Sequence, residues 1–528
     1  MLCTLTSSAA IRFWSIFAAA MMVFGAKLWL IGVFGSATPF WDQWDAEALQ
    51  LFKPYLEGKL HLSQLFDAHN EHRIFFTRVI ALTLLELNGY WDTIFQMVVN
   101  AVIHVTAVAL LLTLLIRALP LGHAVLLSIF TGLLFALPFG WENSLGGFQS
   151  QFYLLLLFAV ACHAMLYDAA VFSLKWLIGI ALAVGSFFSL ASGALTLLSV
   201  AALFTCQLVL GKRAGAKEVI GIVLVAALAV LLLLSVPTVT GHDALRAKTS
   251  VEFLTSFFRV AAWPLKPSIE WPLPSGMFLC LLLNAPVLVL CFRMIRNRPN
   301  VDDPRWFYLG LAGWLFAQCA SLAYGRAPVV VGSRYIDLLA FMVIVNFAAI
   351  GVVCADRRAG AHACLVATAV WIVPIVLALG DQAVFPLPYE VAHKGATGQI
   401  QTQNLKSFLE TGDVSHISNK QILHVPYPDS ERLSRIASDP TIRSILPPSL
   451  DANRTSSLLD PREKPLLRRV LAVTSARLKS LALVYGPLLI PLGLALFLLI
   501  GLWWSSCGDP RHASVVPDRL RDSTSSRS

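Results

Sequence analysis

Charge is what this chain has least of. Only 13% of its 528 residues are Asp, Glu, Lys or Arg, against roughly 25% in a soluble domain. Hydrophobic residues make up 57% and the mean hydropathy is +0.70, which excludes a soluble globule. No sustained apolar/polar alternation is present, so strands are not expected to cross a membrane. No CxxC or Cys/His spacing suggests zinc. The nine cysteines, Cys3, Cys162, Cys206, Cys280, Cys291, Cys319, Cys354, Cys364 and Cys507, fall in apolar runs or on the side of the basic loops, so no disulfide is expected. A glycine-rich phosphate loop is also missing, which argues against a nucleotide-bound substrate.

What the chain does contain is apolar runs of about 18 to 25 residues, close to the roughly 20 that cross a hydrocarbon core. They predict an all-α polytopic membrane protein with twelve spans. These are Ser8–Gly32, Thr93–Arg117, Leu121–Phe139, Gln151–Tyr167, Leu174–Leu190, Ala194–Leu210, Glu218–Val239, Met277–Met294, Trp306–Tyr324, Tyr335–Ala355, His362–Leu379 and Leu481–Trp504. The segment Ile74–Tyr90 is apolar but short before Asn88-Gly89, and reads as a helix in the interface. The N-terminal span lacks a convincing cleavage site and reads as a retained anchor.

The formal charge of +9 reports topology rather than nucleic-acid binding. With this span count, Arg117, Lys175, Lys212, Arg213, Lys217, Arg293, Arg296, Arg298, Arg305, Arg357 and Arg358 gather on one side, expected to be cytoplasmic together with both termini. The basic cluster Arg462, Lys464, Arg468, Arg469, Arg477 and Lys479 falls on the opposite side, against that trend. The expected organisation is a transmembrane bundle over 1–379 with a first outer loop at 34–92, an outer lobe at 380–480, a last span at 481–504 and a disordered tail at 505–528.

The scarce charges concentrate in the first outer loop, WDQWDAEALQLFKPYLEGKLHLSQLFDAHNEHRIFFTR from Trp41 to Arg78. Ionisable groups beside a bilayer usually serve chemistry or transport. If WDQWDAEALQLF is helical, Asp42 and Asp45 share a face, with Glu47 close by. Either aspartate suits a general base on a sugar hydroxyl, or both simply cap and solvate an interfacial helix. In HNEHR, Arg73 with His69 or His72 suits a phosphate. His69, Glu71 and His72 could alternatively hold a divalent cation, or snorkel from the interface. On the same side, WENSLGGFQSQ brings Gln149 among uncharged polar groups suited to a sugar, or to a solvated turn. YGRAPVVVGSRYID places Arg326, Arg334 and Tyr335 where two spans emerge, suited to a lipid phosphate, unless Arg334 pairs with Asp337 three residues on.

An N-terminal span, a large first outer loop carrying WDQWD and HNEHR, many further spans with GSRY at one mouth, and a late soluble lobe together resemble the GT-C superfamily of integral-membrane glycosyltransferases. The likeness is to bacterial members, including lipopolysaccharide-modifying and mannosyltransferase-like branches. It implies a GT-C-like bundle that moves a sugar from a polyprenyl-phosphate donor to a lipid or glycan acceptor on the outer face of the bacterial cytoplasmic membrane. It also implies that Asp42 or Asp45 is the base, with Asp42 preferred. No cofactor is expected, a divalent cation being left as an alternative, and the partners are the lipid-linked sugar, the acceptor and membrane lipids. The alternatives are a transporter or flippase of a lipid-linked or anionic solute, a glycan polymerase or ligase, or a scaffold.

Overall fold

A computed structural model describes residues 2–265, 273–329, 331–355, 360–451 and 466–506. Backbone groups in hydrocarbon have no water to bond, so apolar runs close their hydrogen bonds as helices. Among the described residues twelve apolar helices result: α1 Leu2–Phe34, α2 Thr93–Leu115, α3 Leu121–Ala136, α4 Ser150–Leu166, α5 Leu174–Phe187, α6 Ala194–Val209, α7 Ala216–Leu234, α8 Leu273–Asn297, α9 Arg305–Gly325, α10 Ile336–Ala355, α11 Ala361–Val384 and α12 Leu489–Ser506. Ten of the helical segments are long and apolar enough to cross a membrane, while α3 and α5 are shorter. The chain is therefore a multi-pass all-α membrane protein. Among the described residues no strand forms.

Local signals set the helix ends. Asp92 caps α2, accepting from the Phe95 N–H at 3.0 Å, and Ser173 caps α5 through the Trp176 N–H at 3.2 Å. The short apolar segment at Ile74 forms the helix Phe75–Asn88 and stops at Gly89, whose φ of +72° suits a residue without a side chain. In the bundle, α1 packs between α2, α3 and α12. A Cβ on Gly493 of α12 would lie 2.7 Å from the Ala18 carbonyl oxygen of α1, so only glycine permits that approach.

The segment expected to form the outer lobe packs against the first loop. Leu405, Phe408, Leu433, Ile442 and Ile445 share one core with Trp44, Phe52, Leu85 and Trp91 of the first loop. Trp91 meets Trp44 and Phe52 edge-on, both at 5.4 Å. Helix also runs through the expected boundaries: α11 is followed at once by Leu387–Thr411, and a helix over Leu466–Tyr485 leads into α12. Lys479 of that helix pairs with Asp92, so at least this member of the basic cluster neutralises a first-loop acid. Arg462 and Lys464, and the expected disordered tail from 507 onward, lie outside the described residues.

Candidate functional site

The first loop turns sharply at Trp41, a non-glycine residue at φ +50° held by its N–H to the Pro426 carbonyl at 2.8 Å. Asp42 follows and starts a helix over Gln43–Phe52 whose hydrogen bonds run i→i+5, a geometry that recurs at functional sites. In this wider turn residues three apart no longer share a face. Asp42 and Asp45 accordingly do not form the expected pair.

Asp42 is half exposed, with its carboxylate 3.7 Å from His69 Nε2. Asp45 turns to the lobe, accepting from the Tyr427 hydroxyl at 2.7 Å and from Arg432 at 2.5 and 2.9 Å. Glu47, expected to meet substrate, is 1% exposed and saturated by the protein. Gln43 Nε2 and Trp91 Nε1 donate to one oxygen at 2.9 and 2.8 Å, and Gln96 Nε2 to the other at 2.9 Å. Burial pushes its carboxyl up to about 7, against the pull of these donors. Glu47 ties the loop to α2 and does not face a ligand.

HNEHR folds into a tight antiparallel bridge, His69 and His72 exchanging backbone bonds of 2.8 and 3.0 Å about Asn70 at φ +52°. The turn sends its side chains to separate partners. His69 faces Asp42, and Glu71 pairs with His242 from the segment after α7. His72 Nδ1 accepts from the Ala191 N–H at 3.3 Å. Burial drives the His72 pKa down to about 4, so its ring is neutral near pH 7 and free to accept that bond. Arg73 leaves the group and donates to the Phe66 carbonyl at 2.9 Å.

Arg326, Arg334 and Tyr335 do come together, at the mouths of α9 and α10. With the apolar side chains of Leu245, Val260 and Val331 they line a cavity of about 220 Å³. Arg334 does not pair with Asp337: its guanidinium meets Glu142 at 3.2 Å, and its N–H bonds the same carboxylate at 2.9 Å. Burial raises the Asp42 pKa, but the His69 contact and the charges of His69 and Arg334 outweigh it and hold the carboxyl below its usual value. Arg326 likewise acts on His72. Asp42, His69, His72, Arg326 and Arg334 thus share one electrostatic neighbourhood on the polar side of the bundle. Gln149 is half-buried and accepts from Gln151 at 3.3 Å, one residue past Phe148, whose ring meets His69 edge-on.

Among the described residues no group of three or more His, Cys, Asp or Glu side chains could hold a metal ion. Sequence reasoning missed Glu142, which fixes Arg334, and Lys27 of α1, which lies buried beneath the cleft. The signal for Lys27 was a single cation in the otherwise apolar stretch Phe13–Phe34; that for Glu142 was a lone acid in a polar loop. The chain matches no family model, and no curated protein or solved structure is similar to it.

Proposed function

We propose that this chain is a GT-C-type membrane glycosyltransferase, moving a sugar from a polyprenyl-phosphate donor to a lipid or glycan acceptor on the outer face of a bacterial cytoplasmic membrane. One observation carries the reading: an ionised, half-exposed carboxylate, Asp42, feels the charge of Arg334, which with Arg326 lines an apolar-walled cavity at the membrane mouth. A polyprenyl phosphate has the matching chemistry, with an anionic head and an apolar chain.

In this reading Asp42 takes the proton of the acceptor hydroxyl, whose oxygen bonds to the anomeric carbon. The bond from that carbon to the phosphate oxygen breaks, and its electron pair leaves on the polyprenyl phosphate. Arg326 and Arg334 stand where that charge grows, and an arginine has five N–H donors, so Arg334 keeps some beyond those used by Glu142. Asp45, engaged by Arg432 and Tyr427, has no part in the chemistry.

Twelve crossings with both termini cytoplasmic belong to the same proposal. Support comes from alternate loops meeting on one side: Glu142 after α3 with Arg334 after α9, Ala191 after α5 with His72, and His242 after α7 with Glu71. A transport function is the second reading, favoured by the buried Lys27 and Asp337, because ionisable groups inside a bundle often mark ion pathways.

The test is the surface-glycan and glycolipid composition of cells lacking the protein, complemented by wild type, Asp42→Asn or Asp45→Asn. Wild type and Asp45→Asn are expected to restore a missing sugar that Asp42→Asn does not. Rescue by a well-expressed Asp42→Asn rules out the proposed base, and an unaltered glycan profile in the deletion favours transport.

A further inference from the structure

Below the cleft five elements converge on a cluster of buried ionisable side chains. Lys27 of α1 donates to Ser144 Oγ at 2.9 Å and to the Tyr153 hydroxyl of α4 at 3.2 Å. Asp337, in the first turn of α10, accepts from Asn143 Nδ2 at 3.0 Å, and its other oxygen lies 3.8 Å from His104 Nε2 of α2. His104 is fully buried and stacks on Tyr153 at 4.4 Å, yet neither ring nitrogen has a hydrogen-bond partner; nor does Asn143 Oδ1. A Cβ on Gly140 would lie 2.3 Å from the Asp337 carboxylate, so the backbone is shaped around that group.

A fixed structural ion pair in a dry bundle is expected to close directly, with every polar atom satisfied. Here the ammonium points to two hydroxyls, and the gap between His104 and Asp337 is longer than a hydrogen bond. The unpartnered atoms point to an exchangeable occupant small enough for a space with no room for a sugar. A route exists as well. A cavity of about 40 Å³, roomy enough for water, borders Asp337 and Asn143 and reaches Arg334 and Tyr335, which also line the larger cavity of the cleft.

We infer that Lys27, His104, Tyr153 and Asp337 form a proton-binding site inside the bundle, and that its occupancy is transmitted to the cleft through Asn143. The ligand is a proton, exchanged with the outer side along the small cavity. The link is short, because the same Asn143 amide nitrogen donates to Asp337 Oδ2 and, at 2.7 Å, to the Arg334 carbonyl. A change of charge on Asp337 alters the first bond and so shifts the segment that carries Arg334. The charged groups facing the site are Lys27 from α1 and, nearer the cleft, Arg334 with its partner Glu142. From α9, Gln318 lines the cavity without charge.

The transmission to Arg334 rests on the donor-phosphate reading of the cleft, whereas the proton site does not, and the two are measured separately. For the site, full-length protein in lipid nanodiscs is titrated by infrared difference spectroscopy, following the carbonyl stretch of protonated carboxyl groups. One titrating band is expected to vanish in Asp337→Asn and to shift its midpoint in both His104→Phe and Lys27→Met. Should Asp337→Asn not fold, the two shifts decide. Superimposable wild-type and Asp337→Asn titrations, or a midpoint that neither of the other variants moves, overturn the site. For the transmission, the affinity for farnesyl phosphate is measured across the same pH range. The ratio of wild-type to Asp337→Asn affinity is expected to change about tenfold across the band's midpoint, the ligand's own titration cancelling in the ratio. A constant ratio overturns the transmission. Absence of farnesyl-phosphate binding at every pH removes the donor reading and the transmission with it, while the infrared result still decides the proton site.

Discussion

Three carboxylates lie within six positions of the first loop, and their surroundings give each a different task. Asp42 is ionised at the cleft, Asp45 is spent on Arg432 and Tyr427, and Glu47 is sealed among three donors. Glu47 makes a prediction about pH. Its folded-state pKa of about 7 stands above the unfolded value of 4.5, so between these values the folded chain holds a proton that the unfolded chain has lost. Stability must therefore fall as pH rises from about 4.5 to 7, by as much as ~3 kcal/mol in total, and be level above that window as far as this group is concerned. Glu47→Gln removes the titration, though its amide meets Gln96 poorly. The variant is expected to melt lower than wild type at pH 5 and to show no downward slope toward pH 7.5. Thermal unfolding in nanodiscs at stepped pH reads both, and an equal slope in the two proteins would exclude Glu47 as its source.

At the scale of elements, the helix Leu387–Thr411 is joined to the first loop by a core in which Phe408 is 3% exposed and Leu405 fully buried. Phe408→Ala is expected to cost ~3–5 kcal/mol, in the range of large-to-small core changes. Because the shared core joins the lobe to the loop that carries Asp42, the variant should also expose 414–451 to added protease. Proteolysis confined to the lobe, with the first loop still protected, would show the two to be independent after all. The apolar helices were legible in the sequence because hydropathy is a local property: each expected span lies on an apolar helix, apart from shifts at the ends. The cleft was legible in its residue types, since Asp42, His69, His72, Arg326 and Arg334 do gather. The pairings were not, because they join residues far apart in the chain: Asp45 finds Arg432 387 positions on, and Glu71 finds His242 171 positions on. The i→i+5 turn that separates Asp42 from Asp45 left no mark in the spacing either. Lys27 was passed over because one charge scarcely alters the mean of a long apolar window.

For the whole molecule, the joined loop and lobe restrict how often the chain can cross the membrane. The first loop follows α1 and the lobe follows α11, and since they share a core they lie on one side, so an even number of crossings separates them. Either both short helices, α3 and α5, cross, or neither does. Their 16 and 14 residues give rises of roughly 24 and 21 Å, less than a hydrocarbon core of about 30 Å. Length alone therefore argues against crossing, whereas the contact of Glu142, just beyond α3, with Arg334 at the outer mouth argues for it. The opposite ends agree, since Arg12 near the start of α1 bonds the Leu119 carbonyl at 2.7 Å, and Tyr308 in the first turn of α9 bonds that of Leu115 at 2.5 Å. Ala170, exposed between α4 and α5, separates the two topologies. In a cysteine-free background in intact cells, Ser415→Cys in the lobe should react with a membrane-impermeant maleimide, and Ala214→Cys after α6 only on permeabilisation, whichever topology holds. Ala170→Cys should behave like Ala214→Cys if α3 and α5 cross, and like Ser415→Cys if they do not. The contacts of Glu142 predict the first outcome, with the bilayer thinned locally or the flanking residues 137–139 and 188–190 drawn into it to make up the missing length.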